Sequence, residues 1–140
     1  MANKEENFQR AAARLLNLLG WFWWHTPNGG YRLMLEAKRL KLQGVKPGVP
    51  DIIICEDWEC KDCVNARKHD ERICNGVSDG HGVAIELKVG RNKPSIEQVE
   101  WIKKARDRGW LTAVCYTMSD VQEVLDFVVA RNGRYIANEG

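Results

Sequence analysis

The sequence contains no apolar run near the ~20 residues that a membrane-spanning helix requires. Its longest apolar stretches, such as Leu18–Trp24 and Val83–Ile85, stop far short, so no membrane span is expected. It also lacks a secretory leader pattern: Met-Ala-Asn-Lys-Glu-Glu-Asn places acids and amides where a leader carries a basic stretch followed by an apolar one, which reads as a cytoplasmic protein. Internal repeats and low-complexity tracts are absent. An excess of one charge sign is lacking as well, since 21 basic and 19 acidic residues leave a net +2, so bulk charge argues for no nucleic-acid partner and only its distribution can. The three histidines stand in no Cys-His or Ser-His setting that would activate a nucleophile.

What is present is a chain of 140 residues with enough apolar side chains to close one core, and a single domain over residues 1–140 is expected. The five cysteines are an odd number, which argues against a closed disulfide framework and leaves metal binding or plain burial.

Phe8, Ala12, Leu15, Leu16 and Leu19 recur at helical spacing, predicting an amphipathic helix from Glu5 to Leu19 that Gly20 ends. Trp21–His25 suits a short aromatic strand, and Pro27-Asn28-Gly29-Gly30 is turn chemistry. Leu33–Gln43 reads as a helix with Leu33, Ala37 and Leu40 on one face. The rigid connector Lys46-Pro47-Gly48-Val49-Pro50 leads into Asp51–Cys55, whose unbroken apolar run suits a strand buried on both faces. Residues 56–81 turn polar and hold three cysteines, the pattern of an insertion. Gly82–Val89 resumes as a strand, Pro94–Arg108 as a helix capped by Ser95 with Gln98 three residues on, Leu111–Tyr116 as a strand, and Ser119–Arg131 as a closing helix capped by Ser119 and Asp120. The order predicts an α/β or α+β layered domain.

Side chains two apart on a strand share a face, so Glu86 and Lys88 sit side by side while Leu87 points the other way. Should the strand that Asp51 opens pair with theirs, two carboxylates and an ammonium converge at one end of an apolar sheet. Such oxygen donors suit Mg²⁺, which can polarise a phosphoryl oxygen and acidify a water. Taken singly, each residue is more commonly a strand-end surface charge or a turn residue after proline, and only the group argues otherwise.

Val49-Pro50-Asp51 followed by Ile85-Glu86-Leu87-Lys88 resembles the PD-(D/E)xK nuclease signature. The wider pattern is similar to the VRR-NUC family, including its standalone phage and bacterial proteins. It adds Glu5-Glu6-Asn7-Phe8-Gln9, His25-Thr26-Pro27-Asn28-Gly29-Gly30 with Arg32, Lys46-Pro47-Gly48, and Ser95-Ile96-Glu97-Gln98-Val99-Glu100-Trp101, in order along nearly the whole chain. The resemblance implies a restriction-endonuclease-like core, a central mixed sheet flanked by helices, acting in the cytoplasm of a bacterium or phage-infected cell. It implies a Mg²⁺- or Mn²⁺-dependent DNA endonuclease. Asp51, Glu86 and the Leu87 carbonyl would be metal ligands, joined by Glu5 or its neighbour Glu6, with Glu5 preferred because it lies nearer the side of the helix that carries Phe8. Lys88 would orient or activate the attacking water. Gln98 would support the site by hydrogen bonding, or serve only as the N-terminal cap. His25, Asn28 and Arg32 would face DNA phosphates, though His25 equally suits a satisfied strand end and Asn28 a plain turn.

Charge distribution agrees with a phosphate-facing side. Arg32–Lys46 has five basic residues against one acidic and Lys88–Arg108 seven against three, bringing in Lys46, Arg91 and Lys93, while Glu56–Arg72 offsets them with six acids against four bases. In the insertion, Cys60 and Cys63 form a C-x2-C knuckle with Cys74 beyond it, and Cys55, His69 and His81 compete as a fourth zinc ligand. Cys115 reads as a packing residue. Standalone relatives imply a homodimer cutting Holliday-type branched DNA. The alternatives are a restriction-like or general replication and repair nuclease, and a zinc-containing DNA-binding module without catalysis.

Overall fold

The computed structural model describes residues 3–27, 34–59 and 79–131. The chain begins with helix α1, Lys4–Leu18, where the Asn3 side chain accepts the Glu5 amide at 2.9 Å, and ends it at Gly20, whose φ of 77° closes the last turn. Ala12 and Leu16 are buried, with Phe8 and Leu15 packed beside them, as the helical period predicts. Strand β1 is Trp23–His25, helix α2 Met34–Leu42, and strand β2 Ile52–Ile54. Two short strands, β3 at Trp58–Glu59 and β4 at Asp79–Gly80, pair with each other at the ends of the polar insertion. Strand β5, Val83–Leu87, leads through helix α3, Ile96–Arg106, to strand β6, Leu111–Cys115, and helix α4, Met118–Arg131, follows.

The main sheet has the order β1-β2-β5-β6, antiparallel at its first two pairings and parallel between β5 and β6. Parallel neighbours need a crossover, and α3 supplies it. This is the mixed sheet with helices expected for an α+β domain. Alternation sorts the strands into two layers. Ile52, Ile54, Val83, Ile85, Leu87, Leu111 and Cys115 form one core with Ala12 and Leu16 of α1 and Val121, Val124, Leu125 and Val128 of α4. Ile53, Ala84, Glu86 and Thr112 turn to the opposite face and are also buried, on the side where α3 packs on β6 and Gln98 reaches Glu86. Burial on both faces accounts for the uninterrupted apolar character of β2.

Two expectations are corrected. The α2 face predicted from Leu33, Ala37 and Leu40 is not a core face where it is described: Leu33 lies outside the described residues, Ala37 is exposed, Leu40 only half-buried, and Leu35 and Leu42 lie in solvent. Strong helix formers sustain α2 where core packing does not. The cap of α4 is Thr117, not Ser119 or Asp120. Thr117 Oγ1 accepts the Asp120 amide at 3.1 Å, while Asp120 Oδ2 accepts the amides of Thr117 at 3.1 Å and Tyr116 at 2.8 Å, so Asp120 is the third helical residue of a reciprocal cap. Of the insertion, only its flanks are described. Trp58 is buried there, its indole donating to the Gly82 carbonyl at 3.1 Å and tilting against Phe127 of α4.

Candidate active site

The antiparallel register places Ile52 opposite Ile85, and continuing it by one step sets Asp51 opposite Glu86. Both are then on the sheet face that α3 covers, and Lys88 follows two residues later on that face. Directly opposed like charges are unfavourable, so the register builds electrostatic strain into this end of the sheet. The structure brings together Asp51, Glu86, Lys88 and Gln98, with Lys88 and Gln98 both meeting Glu86 and Asp51 accepting from the backbone.

Asp51 Oδ2 accepts the Leu87 amide at 2.7 Å. The next amide, Lys88 N–H, bonds the Cys115 carbonyl on the β6 side at 2.9 Å, so the Leu87 N–H faces β2, beyond the end of that strand. The Asp51 carboxylate thus takes the place of a missing strand carbonyl. Glu86 is 2% exposed, and its two oxygens differ. Oε1 accepts from Gln98 Nε2 at 2.7 Å and meets Lys88 Nζ at 3.2 Å, whereas Oε2 is buried and has no hydrogen-bond partner. Burial foremost, then the negative charge of Asp51, pushes the Glu86 carboxyl up to about 7, with Lys88 pulling the other way.

An orphaned buried carboxylate oxygen beside a second carboxylate suits a hard divalent cation, which neutralises the repulsion and takes up the free oxygen. Asp51 and Glu86 therefore fit a Mg²⁺ ion. Glu5 is exposed in the first turn of α1 and Glu6 pairs with Arg10, and among the described residues no group of three or more His, Cys, Asp or Glu side chains could hold a metal ion. A third carboxylate is thus not assembled with Asp51 and Glu86 in this structure.

Gln98 settles a choice the sequence left open by doing both things. Its Oε1 accepts the Ser95 amide at 2.8 Å and its own amide donates to Ser95 Oγ at 3.2 Å, a complete capping box, while its Nε2 reaches Glu86. His25 Nδ1 lies 2.8 Å from the Asp51 carbonyl. A carbonyl only accepts, so Nδ1 carries the hydrogen and the exposed ring keeps Nε2 for another partner. Lys46 borders a cavity of about 340 Å³ that Thr26, Pro27, Leu40, Gly44, Val45 and Val49 also line. Arg91 and Lys93 are exposed on the loop leaving Lys88. Asn28 and Arg32 lie outside the described residues, as do Cys60, Cys63, His69 and Cys74. Of the other zinc candidates, Cys55 is an exposed free thiol and His81 sits 3.6 Å from Asp57.

One neighbour of the site escaped the sequence reading: Gly48 touches the first turn of α3. A glycine set between two prolines was the available signal for it.

Fold and site together define an α+β layer domain with two facing carboxylates and a lysine at the end of its central strands. The fold is that of a solved structure described as a VRR_NUC domain protein, at 23% sequence identity over 94% of this chain and 93% of the other, with a TM-score of 0.65. No family model and no curated protein matches the sequence. No helix among the described residues is long and apolar enough to cross a membrane.

Proposed function

We propose that the chain is a nuclease of the VRR-NUC kind, a Mg²⁺- or Mn²⁺-dependent endonuclease that hydrolyses DNA phosphodiester bonds. The observation that carries the reading is the facing pair Asp51 and Glu86 with Lys88 on the same strand face and Glu86 Oε2 buried without a partner. Carboxylates repel phosphate, so a surface that only binds DNA gains nothing from such a pair.

Asp51 and Glu86, with the Leu87 carbonyl, would hold the cation, whose positive charge would offset the negative charge that builds on the phosphate oxygens as water attacks. Gln98 and Lys88 hold Glu86 through its other oxygen. The Lys88 ammonium, next to Glu86 and mostly shielded from solvent, orients the attacking water toward the phosphorus. Arg91, Lys93 and Lys46, with Arg32, Asn28 and the free side of His25, would contact the flanking phosphates. Paired cuts across a four-way junction need two sites at fixed separation, which a symmetric homodimer of this one-site chain supplies.

Cleavage of linear, flapped and four-way DNA with and without Mg²⁺ tests the reading. Lys88→Ala and Asp51→Ala should each slow Mg²⁺-dependent cutting by at least about a hundredfold. Cutting at the wild-type rate by either variant refutes it. A strictly monomeric species both free and on junction DNA refutes the dimer.

A further inference from the structure

One oxygen of Glu86 is committed and the other is free, and the residues that commit it lie outside the strands. Gly48 has a φ of 83°, a left-handed conformation that side chains disfavour, and a Cβ there would overlap the Glu97 carbonyl oxygen while lying 2.5 Å from its carbon and 2.9 Å from the Gln98 nitrogen. The Lys46–Pro50 connector therefore lays bare backbone against the first turn of α3, at the very residue whose side chain reaches Glu86. Ser95 holds the same residue from the other side, giving its amide to Gln98 Oε1 and taking the Gln98 amide on its hydroxyl.

With Oε1 tied to Ser95, the Gln98 Nε2 is left to face Glu86, and a flipped amide would set acceptor against acceptor at Glu86 and donor against donor at Ser95. A glutamine in an open first turn samples many rotamers; this one is fixed at both ends of its amide. We propose that Gly48 and Ser95 are positioning residues that act through Gln98, dedicating Glu86 Oε1 to the protein and keeping Oε2 free for a divalent cation. The inference rests on the metal-dependent reading above. It also joins the two carboxylates mechanically, because the connector that seats α3 at Gly48 runs on three residues to Asp51. One strap places Asp51 by covalent continuity and Glu86 by packing.

The test uses ¹⁵N-labelled full-length protein as wild type, Ser95→Ala, Ser95→Thr and Gly48→Ala, with Gln98→Ala to assign the side-chain signal. Two quantities are read: hydrogen exchange of the Gln98 side-chain amide by NMR, and Mn²⁺ affinity by titration calorimetry without DNA. Ser95→Ala keeps the backbone amide that faces Gln98 Oε1 but deletes the hydroxyl that pins the Gln98 backbone in the first turn. With that turn released it, like Gly48→Ala, should lose the protection of the Gln98 side-chain amide and bind Mn²⁺ about tenfold more weakly, the scale expected when a group orienting a metal ligand is removed. Ser95→Thr, which keeps the hydroxyl, should preserve both. If Gly48→Ala does not fold, Ser95→Ala decides. A well-dispersed Ser95→Ala spectrum with Gln98 still protected and Mn²⁺ affinity within about twofold of wild type overturns the proposal. Absence of Mn²⁺ binding by the wild type overturns the metal-dependent reading and the role of Oε2 with it, whereas loss of Gln98 protection in Ser95→Ala supports the positioning of Gln98 independently of any metal.

Discussion

Glu86 makes the metal-free protein a pH-dependent structure. Its carboxyl ionises near 4.5 in an unfolded chain and at about 7 in the folded one, because burial and Asp51 oppose the charged form. A folded-state value raised in this way means that the neutral form stabilises the fold fully below pH ~4.5 and that this stability is lost as pH rises through about 7. At ~1.36 kcal/mol per pH unit the difference amounts to about 3 kcal/mol, a sizeable part of the ~5–15 kcal/mol that holds an ordinary domain together. Glu86→Gln mimics the neutral form at every pH. Urea denaturation in the presence of a chelator should find Glu86→Gln more stable than wild type by about 3 kcal/mol at pH 8, with the gap closing toward zero at pH 4.5. Mg²⁺ should then raise the stability of the wild type at pH 8 and leave Glu86→Gln nearly unchanged, because a ligand that binds only the folded state stabilises it. A gap that stays constant between pH 4.5 and 8 would falsify the argument, since Glu86 would then ionise in the fold as it does in water.

Further outcomes can be checked separately. Asp120→Ala removes the acceptor for two amides at the start of α4 and should cost about 1–2 kcal/mol by urea denaturation, with a loss below a few tenths contradicting the Thr117 cap. Cys115, which burial pushes up to about 12, should resist alkylation of the native protein at pH 8 while exposed Cys55 reacts, as mass spectrometry would read; comparable labelling of the two means that β6 opens readily. Replacing Arg91 and Lys93 together by Ala should lower the slope of log affinity for duplex DNA against log salt by about 2, and an unchanged slope removes that loop from the phosphate contacts.

Periodicity made most of this fold readable in advance, because burial dictates it directly. Phe8, Ala12, Leu15 and Leu16 repeat as a helix that lies on a core, and Ile52-Ile53-Ile54 is apolar throughout because both its faces are covered. The same rule misjudged α2, where Ala37 and Leu40 align as a core face would, yet the helix buries almost nothing. Periodicity reports a possible face, and only the surrounding chain decides whether anything covers it. The α4 cap failed for a different reason: Thr117, Ser119 and Asp120 are all capping residues, and the path of the chain off β6 chooses among them. At the site, alternation alone put Glu86 beside Lys88, whereas bringing Asp51 to them needed the pairing of β2 with β5. The division of labour between the Glu86 oxygens was not legible, since it depends on an antiparallel register and on a helix first turn brought against a connector from nearly fifty residues earlier.

The bond from the Leu87 amide to Asp51 makes one side chain answer to two kinds of selection. A descendant that had given up cutting DNA would still need an acceptor at position 51 to finish the pairing of its two central strands, and Asn would serve as well as Asp. An aspartate retained at this place in a relative is therefore weak testimony that the relative is active. Lys88 pairs with Glu86 instead of mending the backbone, so no strand hydrogen bond depends on its side chain. It is the position where a lapse of catalysis would leave its first mark.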